Sequence, residues 1–359
     1  MTNALSRRNF LTGVSATTLA AIYPPEFLSF LSTQSKQTGP LPLIRPKALK
    51  PGDTVGLVAP ATAVEDPETI ALATDIAASL GFNVVVGRNA GKRYGYLGGS
   101  DKERAEDINE MFRRRDIDGV LPIQGGWGSM RVLPHIDFDL VRKNPKVFVG
   151  FSDITTLLLA FYKFAGLVTV HGPNVLYSFN PYVRDYYTRT LMSVEPLGQL
   201  RQPPLPAGET VERENRLVTI AGGTARGPLV GGNLSLLVTT LGTPFEVDLR
   251  GKLLFIEDVG EEPYRIDRML THLHLSGVLN DVAGVILGRF RDCEPKGGGA
   301  VGSLTLYELF RTRFAPLGKP CLAGLSFGHI RDHIPLPVGV TAELNADAKT
   351  VTLLESAVS

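Results

Sequence analysis

Ser152 lies where a hydroxyl can serve as a nucleophile. It falls in Phe148-Val-Gly-Phe-Ser-Asp-Ile-Thr-Thr-Leu-Leu-Leu159. The apolar run 147–151 reads as a buried strand, and 154–164 reads as a helix. A serine at that turn sets its hydroxyl at the C-terminal edge of a sheet, beside the free N–H groups that open a helix. Acyl transfer asks for this arrangement, an exposed nucleophile with donors ready for a developing oxyanion. A plain helix cap asks for the same residue at the same place. The stretch alone does not separate the two.

Other residues able to do chemistry are scattered. Glu257 ends the apolar run Lys252-Leu-Leu-Phe-Ile-Glu257, where an unpaired carboxylate is costly to bury. The acidic run after it, Asp258-Val-Gly-Glu-Glu262, also fits a solvated loop rim. His329 lies in Gly324-Leu-Ser-Phe-Gly-His-Ile330, which reads as a loop after a strand at 320–324, a setting where a lone histidine is commonly structural. Its spacing to His333 is that of a helical zinc pair, but Gly328, Pro335 and Pro337 argue against a helix. His272 and His274 fall on alternate sides of a helix and chelate poorly. No metal is expected. Gln124-Gly-Gly-Trp-Gly-Ser129 follows a strand, and its glycines would let backbone N–H groups approach a ligand. A tight strand-to-helix turn uses the same residues, and neither the Walker nor the dinucleotide fingerprint is present. Cys293 and Cys321 make neither a disulfide framework nor a zinc set.

The elements that must position these residues alternate. Strands are predicted at 54–59, 83–86, 119–123, 147–151 and 168–171. Between them, a helix covers 67–80, and a second opens at the capping box Ser100-Asp-Lys-Glu103 and runs to about Arg115. The cluster Arg113-Arg114-Arg115 ends that helix as a solvated, dipole-matched face. Strands separated by helices imply a doubly wound parallel sheet, with chemistry gathered at the strands' C-terminal ends. The glycine stretch, Phe151-Ser-Asp153 and His171-Gly-Pro173 all fall at such ends. From 197 to 222 the chain turns Pro-, Gly- and charge-rich, including Gln202-Pro-Pro-Leu-Pro206, and reads as a linker. Beyond it, Gly231-Gly-Asn-Leu-Ser-Leu236 is expected to open a short helix. Strands at 252–257, 284–288 and 320–324, helices at 264–276 and 304–314, and a hairpin at 340–354 follow. The fold class is α/β. An N-terminal doubly wound domain (43–196) is joined by the linker (197–222) to a smaller C-terminal α/β domain (223–357).

Composition narrows the partners. The 359 residues are 43% hydrophobic and 20% charged, with a formal net charge of +1. That is globular material without the basic balance a nucleic-acid partner requires. The amino terminus stands apart: Ser6-Arg-Arg-Asn-Phe-Leu11 precedes a mild apolar run to Ala21, the pattern of a twin-arginine export signal. Residues 1–36 are therefore read as signal and lead-in, and the protein as periplasmic or otherwise exported. Cytoplasmic residence is the alternative if the signal is unused. No later stretch approaches the roughly 20 apolar residues that span a bilayer.

Together these pieces resemble the LD-carboxypeptidase family of serine peptidases, which includes muramoyltetrapeptide carboxypeptidases and the microcin C immunity protein. The resemblance runs from about 43 to 355. It rests on Gly125-Gly-Trp-Gly-Ser129, Gly150-Phe-Ser-Asp-Ile-Thr155, His171-Gly-Pro173, Gly231-Gly-Asn-Leu234, Ile256-Glu-Asp258, Tyr264-Arg-Ile-Asp-Arg-Met-Leu270 and Gly328-His329. It implies Ser152 as nucleophile, His329 as base and Glu257 as the acidic member that orients the imidazole. The backbone N–H groups of Gly126 and Asp153 would form the oxyanion hole. The implied reaction releases terminal D-alanine from murein tetrapeptides through an acyl-enzyme, with no cofactor. The assignment of Ser152, His329 and Glu257 draws on both domains, so the resemblance puts the active site at their interface. The substrate carboxylate needs a cation or an N–H nest; Arg131, Arg265 and Arg289 are the candidate cations. Trp127 could stack on a substrate ring, as an adenylate-peptide hydrolase of the microcin branch would require. A two-lobed, non-enzymatic binding protein is the further alternative. A homodimer is implied by the resemblance alone.

Overall fold

The computed structural model describes residues 24–25, 27–28, 41–64, 66–205, 208, 210–211, 215–295 and 302–359. The twin-arginine motif lies outside the described residues. In chain order the strands of the first half are β1 (Thr54–Val58), β2 (Asn83–Val86), β3 (Gly119–Pro122), β4 (Val147–Gly150) and β5 (Thr169–His171). The helices among and after them are α1 (Pro67–Ser79), α2 (Asp101–Arg113), α3 (Phe138–Lys143), α4 (Thr155–Ala160) and α5 (Pro181–Met192). The second half holds β6 (Gly198–Gln199), β7 (Val218–Ala221), β8 (Thr224–Asn233), α6 (Leu234–Thr239), β9 (Leu253–Val259) and α7 (Pro263–Leu275). After them come β10 (Gly284–Arg291), α8 (Leu306–Phe314), β11 (Cys321–Gly328), β12 (Leu336–Val338), β13 (Thr341–Asn345) and β14 (Thr350–Leu353).

These strands form two sheets in a mixed α/β fold. The first runs β12-β5-β4-β3-β1-β2, parallel from β5 to β2. The alternation of apolar strands and amphipathic helices dictates this, because each crossover helix needs a sheet face to bury against. The strand order reverses between β1 and β3. In open α/β sheets ligands bind at that switch point, beyond the strands' C-terminal ends. The second sheet runs β6-β14-β13-β8-β9-β10-β11-β7, with β8 to β11 parallel and antiparallel strands on both flanks. The two halves interlock, since β12 leaves the second half to pair antiparallel with β5. One continuous apolar core joins helices of the first half, such as Leu157 and Phe161, to β8, β9 and β10 of the second.

Several elements differ from the sequence expectation. Gly231, Gly232 and Asn233 end strand β8 instead of opening a helix, and α6 starts at Leu234 with the Asn233 side chain accepting from Leu236 N–H. Periodicity cannot find a strand with three glycines, yet close approach demands them. A Cβ on Gly231 would sit 1.8 Å from the Phe255 carbonyl oxygen. The stretch read as a linker supplies β6 and β7 to the second sheet. β11 continues to Gly328, buried throughout, so His329 leaves directly from a strand end and not from a loop. The helix expected at 154–164 is a 3₁₀ turn at Ser152–Ile154, then α4, then a π turn at Phe161–Ala165.

Candidate active site

The turn after β4 holds Ser152 in a left-handed conformation, with φ at 62°. A non-glycine residue there is strained by about 1 kcal/mol or more and persists only where the surroundings enforce it. The residue before the turn, Phe151, makes no side-chain cap. Ser152 does not cap either: its Oγ lies 2.9 Å from His329 Nε2. The His329 Nδ1 in turn lies 2.7 Å from Glu257 Oε2. Three residues widely separated in sequence, from β4, β9 and β11, thus form one hydrogen-bonded chain across the two sheets. Gly328 makes the approach possible, because its φ is +115° and a Cβ would sit 2.8 Å from Glu257 Oε2.

Glu257 is fully buried on β9 and its partners account for it. Its Oε1 accepts from Asn233 Nδ2 at 3.3 Å. Burial pushes its pKa up, but the charge and hydrogen bond of His329, with help from His171 and Asn233, outweigh burial and hold it below the ordinary glutamate value. Asp258 is buried too, so the acidic run is no solvated rim at this residue. It accepts from Ser235 N–H at 3.0 Å and Ser235 Oγ at 2.8 Å. Burial, then the neighbouring Glu257 charge, raises its pKa to about 6.

The glycine loop after β3 lies against the serine turn. A Cβ on Gly125 would stand 3.2 Å from Ser152 Cβ, and one on Gly126 (φ +111°) only 1.9 Å from Thr62 Oγ1. Trp127 N–H donates to Thr62 Oγ1 at 3.0 Å. The Asp153 carboxylate accepts from Ser129 N–H at 2.7 Å, while Ser129 Oγ donates to the Asp153 carbonyl and meets Thr156 Oγ1 at 2.7 Å. Burial raises the Asp153 pKa, partly offset by the Ser129 and Gly128 bonds. Buried Arg104 fastens the loops after β1 and β3, its Nη1 donating to the Pro60 and Gly128 carbonyls. Among the described residues the Gly126 N–H donates to no protein acceptor.

A cleft of about 340 Å³ opens over this chain, lined by Thr62, Gln124, Gly126, Trp127, Asn174 and Tyr177 with Ser152 and His329 at its floor. Trp127 faces it. The arginines do not. Arg131 pairs with Asp101 at 2.9 Å, Arg265 lies exposed on α7 beside Tyr264 and Glu261, and Arg289 is half-buried on β10. Behind the floor, Phe151 packs on His329 with ring centroids 4.8 Å apart, on His333 at 4.9 Å and on His171 at 6.1 Å. His171 is fully buried and its pKa is pushed down to about 4, so it stays neutral. Cys293 and Cys321 are buried, free thiols.

The LD-carboxypeptidase N-terminal domain matches residues 55–172 and the LD-carboxypeptidase C-terminal domain matches 226–344. The Bacillus subtilis (strain 168) protein named "Probable murein peptide carboxypeptidase" is 42% identical over 315 residues, covering 88% of this chain and 95% of its own. The chain belongs to the LD-carboxypeptidase family of serine peptidases. The Microcin C7 self-immunity protein MccF of Escherichia coli is 30% identical, covering 86% of this chain and 95% of its own. A structure of MccF in complex with glutamyl sulfamoyl guanosine superposes with TM-score 0.79 at 26% identity, covering 88% of this chain and 99% of that one. The muramoyltetrapeptide carboxypeptidase from Oxalobacter formigenes superposes with TM-score 0.70 at 30% identity, over 84% and 97%.

Sequence reasoning named Ser152, Glu257 and His329, and the structure brings them together. Sequence reasoning gave no role to the residues that hold them: Ser129 and Asn233 stood only inside motifs, and Arg104 and Thr62 were not named. Arg104 carried a signal, a charge on the apolar stripe of α2 with Ile108 and Met111. Thr62 carried none.

Proposed function

We propose that this chain hydrolyses the L,D-peptide bond before the terminal D-alanine of murein tetrapeptides through an acyl-enzyme on Ser152. The observation that carries the reading is the continuous Ser152–His329–Glu257 hydrogen bonding on the floor of an open cleft. His329 Nε2 takes the Ser152 proton as Oγ attacks the scissile carbonyl carbon. Glu257 accepts from Nδ1, which fixes the tautomer and stabilises the imidazolium that forms. The tetrahedral oxyanion lies between the Gly126 N–H and the Asp153 N–H, the latter at the start of the 3₁₀ turn, where among the described residues it donates to no protein acceptor. His329 returns the proton to the leaving amine, D-alanine departs, and water, deprotonated by the same imidazole, clears the ester. A binding protein would have no use for the strain at Ser152. Chiral analysis of the released amino acid tests this reading. D-alanine from wild type and none from Ser152→Ala supports it, and release by both proteins contradicts it.

One observation favours a second reading. Trp127 lies on the cleft wall, where it could stack on a nucleobase, and the likeness to MccF bound to a nucleoside compound is close. An aminoacyl sulfamoyl adenosine incubated with the protein separates the two: cleavage faster than that of tetrapeptide favours this branch.

The site of action is part of the proposal. Arg7 and Arg8 ahead of a short apolar run support export through a twin-arginine route. Arg7→Lys with Arg8→Lys should leave the full-length chain in the cytoplasm. Unchanged export of the double variant overturns this.

A further inference from the structure

Three large aromatic side chains are exposed on or beside the cleft wall, and the reaction uses none of them as a reactive group: Trp127 lines the cleft, and Tyr94 and Tyr96 lie on the turn next to its loop. Trp127 and Tyr94 are each 64% exposed and Tyr96 is 59% exposed. They belong to two adjoining loops. The turn 94–97 closes on itself, Tyr94 N–H donating to the Leu97 carbonyl at 2.8 Å and Leu97 N–H to the Tyr94 carbonyl at 3.0 Å. Its Leu97 side chain fills the space over Gly128, where a Cβ would lie 2.3 Å from Leu97 Cδ2. Ala63 N–H donates to the Tyr96 carbonyl at 3.0 Å, and Thr62 Oγ1 next to it accepts from Trp127 N–H at 3.0 Å. Thr62 is itself a wall of the cleft. Arg131, held by Asp101, lies within electrostatic reach of both tyrosines. These contacts tie the turn that carries the two tyrosines to the loop that carries Trp127 and to the Thr62 wall of the cleft.

We propose that Tyr94, Tyr96 and Trp127 form a platform for the N-acetylated pyranose rings that carry the murein peptide. The inference rests on the murein reading and extends it to the glycan. A pyranose presents an apolar C–H face and a rim of hydroxyls. Polar-tipped aromatics answer both, with ring faces for stacking and Tyr hydroxyls, the indole N–H, Arg131 and Asp101 for hydrogen bonds. Length agrees. The scissile carbonyl belongs to the third residue of a peptide whose first residue joins the sugar, and three extended residues span about 10 Å. The glycan then falls outside the cleft mouth and on its rim. A second copy of the chain is the rival occupant. Charge argues against it: the paired ions Lys92–Glu103 and Arg131–Asp101 stand beside these loops, with both carboxylates on the first turn of α2, whereas interface centres are depleted of Lys, Asp and Glu.

The chain has one tryptophan and ten tyrosines, so emission excited selectively at the indole, beyond the tyrosine absorption band, comes from Trp127 alone. The full-length Ser152→Ala protein would be titrated with a β-1,4-linked disaccharide of N-acetylglucosamine bearing no peptide. A saturable change in emission is expected, weakened about tenfold or more when Tyr94→Ala and Tyr96→Ala are added. In turnover, the kcat/KM ratio of disaccharide-tetrapeptide to free tetrapeptide should exceed one in wild type and fall toward one in the double variant. Circular dichroism of the variant guards against misfolding, and Tyr96→Phe should retain most of the preference. No saturable response, or an equal one in both proteins, overturns the platform even if D-alanine is released. A response without any D-alanine release supports the platform and sinks the reaction reading instead. A double variant that passes from dimer to monomer on sedimentation, with the disaccharide response intact, gives the patch to a second copy and overturns the proposal.

Discussion

At the scale of single residues, the site is a set of groups each unsuited to its place except through its partners. Ser152 occupies a conformation that non-glycine residues avoid, Glu257 is a fully buried carboxylate, and His329 leaves the end of a buried strand. Removing one partner exposes the cost of the others. Ser152→Ala and His329→Ala should each lower kcat by about 10³-fold or more while the protein stays folded, and Glu257→Gln should do the same within roughly tenfold. Full activity in Glu257→Gln with a dead Ser152→Ala would break the assignment of Glu257. Buried His171 gives a prediction about pH. Its pKa falls from 6.5 unfolded to about 4 folded, so below pH 6.5 the unfolded chain binds the extra proton and stability declines as pH falls toward 4. The contribution, on the order of 3 kcal/mol, is fully present above pH 6.5. Asp258, raised to about 6, acts with opposite sign over the same range, so the test is a difference. Denaturant melts of wild type and His171→Phe should show wild type losing ground to the variant between pH 7 and pH 4. A constant difference contradicts it.

At the scale of elements, the glycines decide what can approach what. Gly231→Ala puts a methyl against the Phe255 backbone on the neighbouring strand, and a strand cannot step aside as a side chain can. It should cost several kcal/mol, about 3 or more, and show as insoluble or low-melting protein. Gly251→Ala, where a Cβ meets open space at φ +67°, should cost only about 1 kcal/mol. Equal stability of the two variants would refute the close-packing account. Ser129→Ala removes the hydroxyl shared by Asp153 and Thr156, and should lower both melting temperature and kcat because the glycine loop loses its hold on the serine turn. These elements also show what sequence could tell. The strands β1 to β5 were legible because apolar runs alternate with helical periodicity, and the capping box at Ser100 and Glu103 fixed the start of α2. β8 was not, because only Leu229 and Val230 carry an apolar signal in it, and the three glycines around them serve backbone contact. β6 and β7 hid in Pro- and charge-rich sequence because flank strands answer to their neighbours' edges more than to their own composition.

At the scale of the molecule, the Ser152–His329–Glu257 chain exists only when both sheets are assembled. Ser152 comes from the first, Glu257 and His329 from the second, and β12 and the carboxyl terminus bind the halves together. Ser359 N–H donates to the Pro46 carbonyl at 2.9 Å, Ala48 N–H returns the bond to Ser359 at 2.9 Å, and Ala357 and Val358 are buried beside them. Deleting residues 355–359 should lower the melting temperature by about 5 °C or more. An unchanged melting curve would show that the tail does not join the halves. Sequence put Ser152 and Glu257 at strand ends and His329 in a loop after a strand, without showing that the three converge. That convergence is a property of two sheet topologies and of the switch point between β1 and β3, which no local pattern records. The central claim is the chemistry at that junction, and mass spectrometry of purified disaccharide-tetrapeptide incubated with wild type and with Ser152→Ala tests it most directly. The account predicts loss of a single alanine with wild type and an intact substrate with the variant. Loss of alanine with both proteins, or with neither, would contradict it.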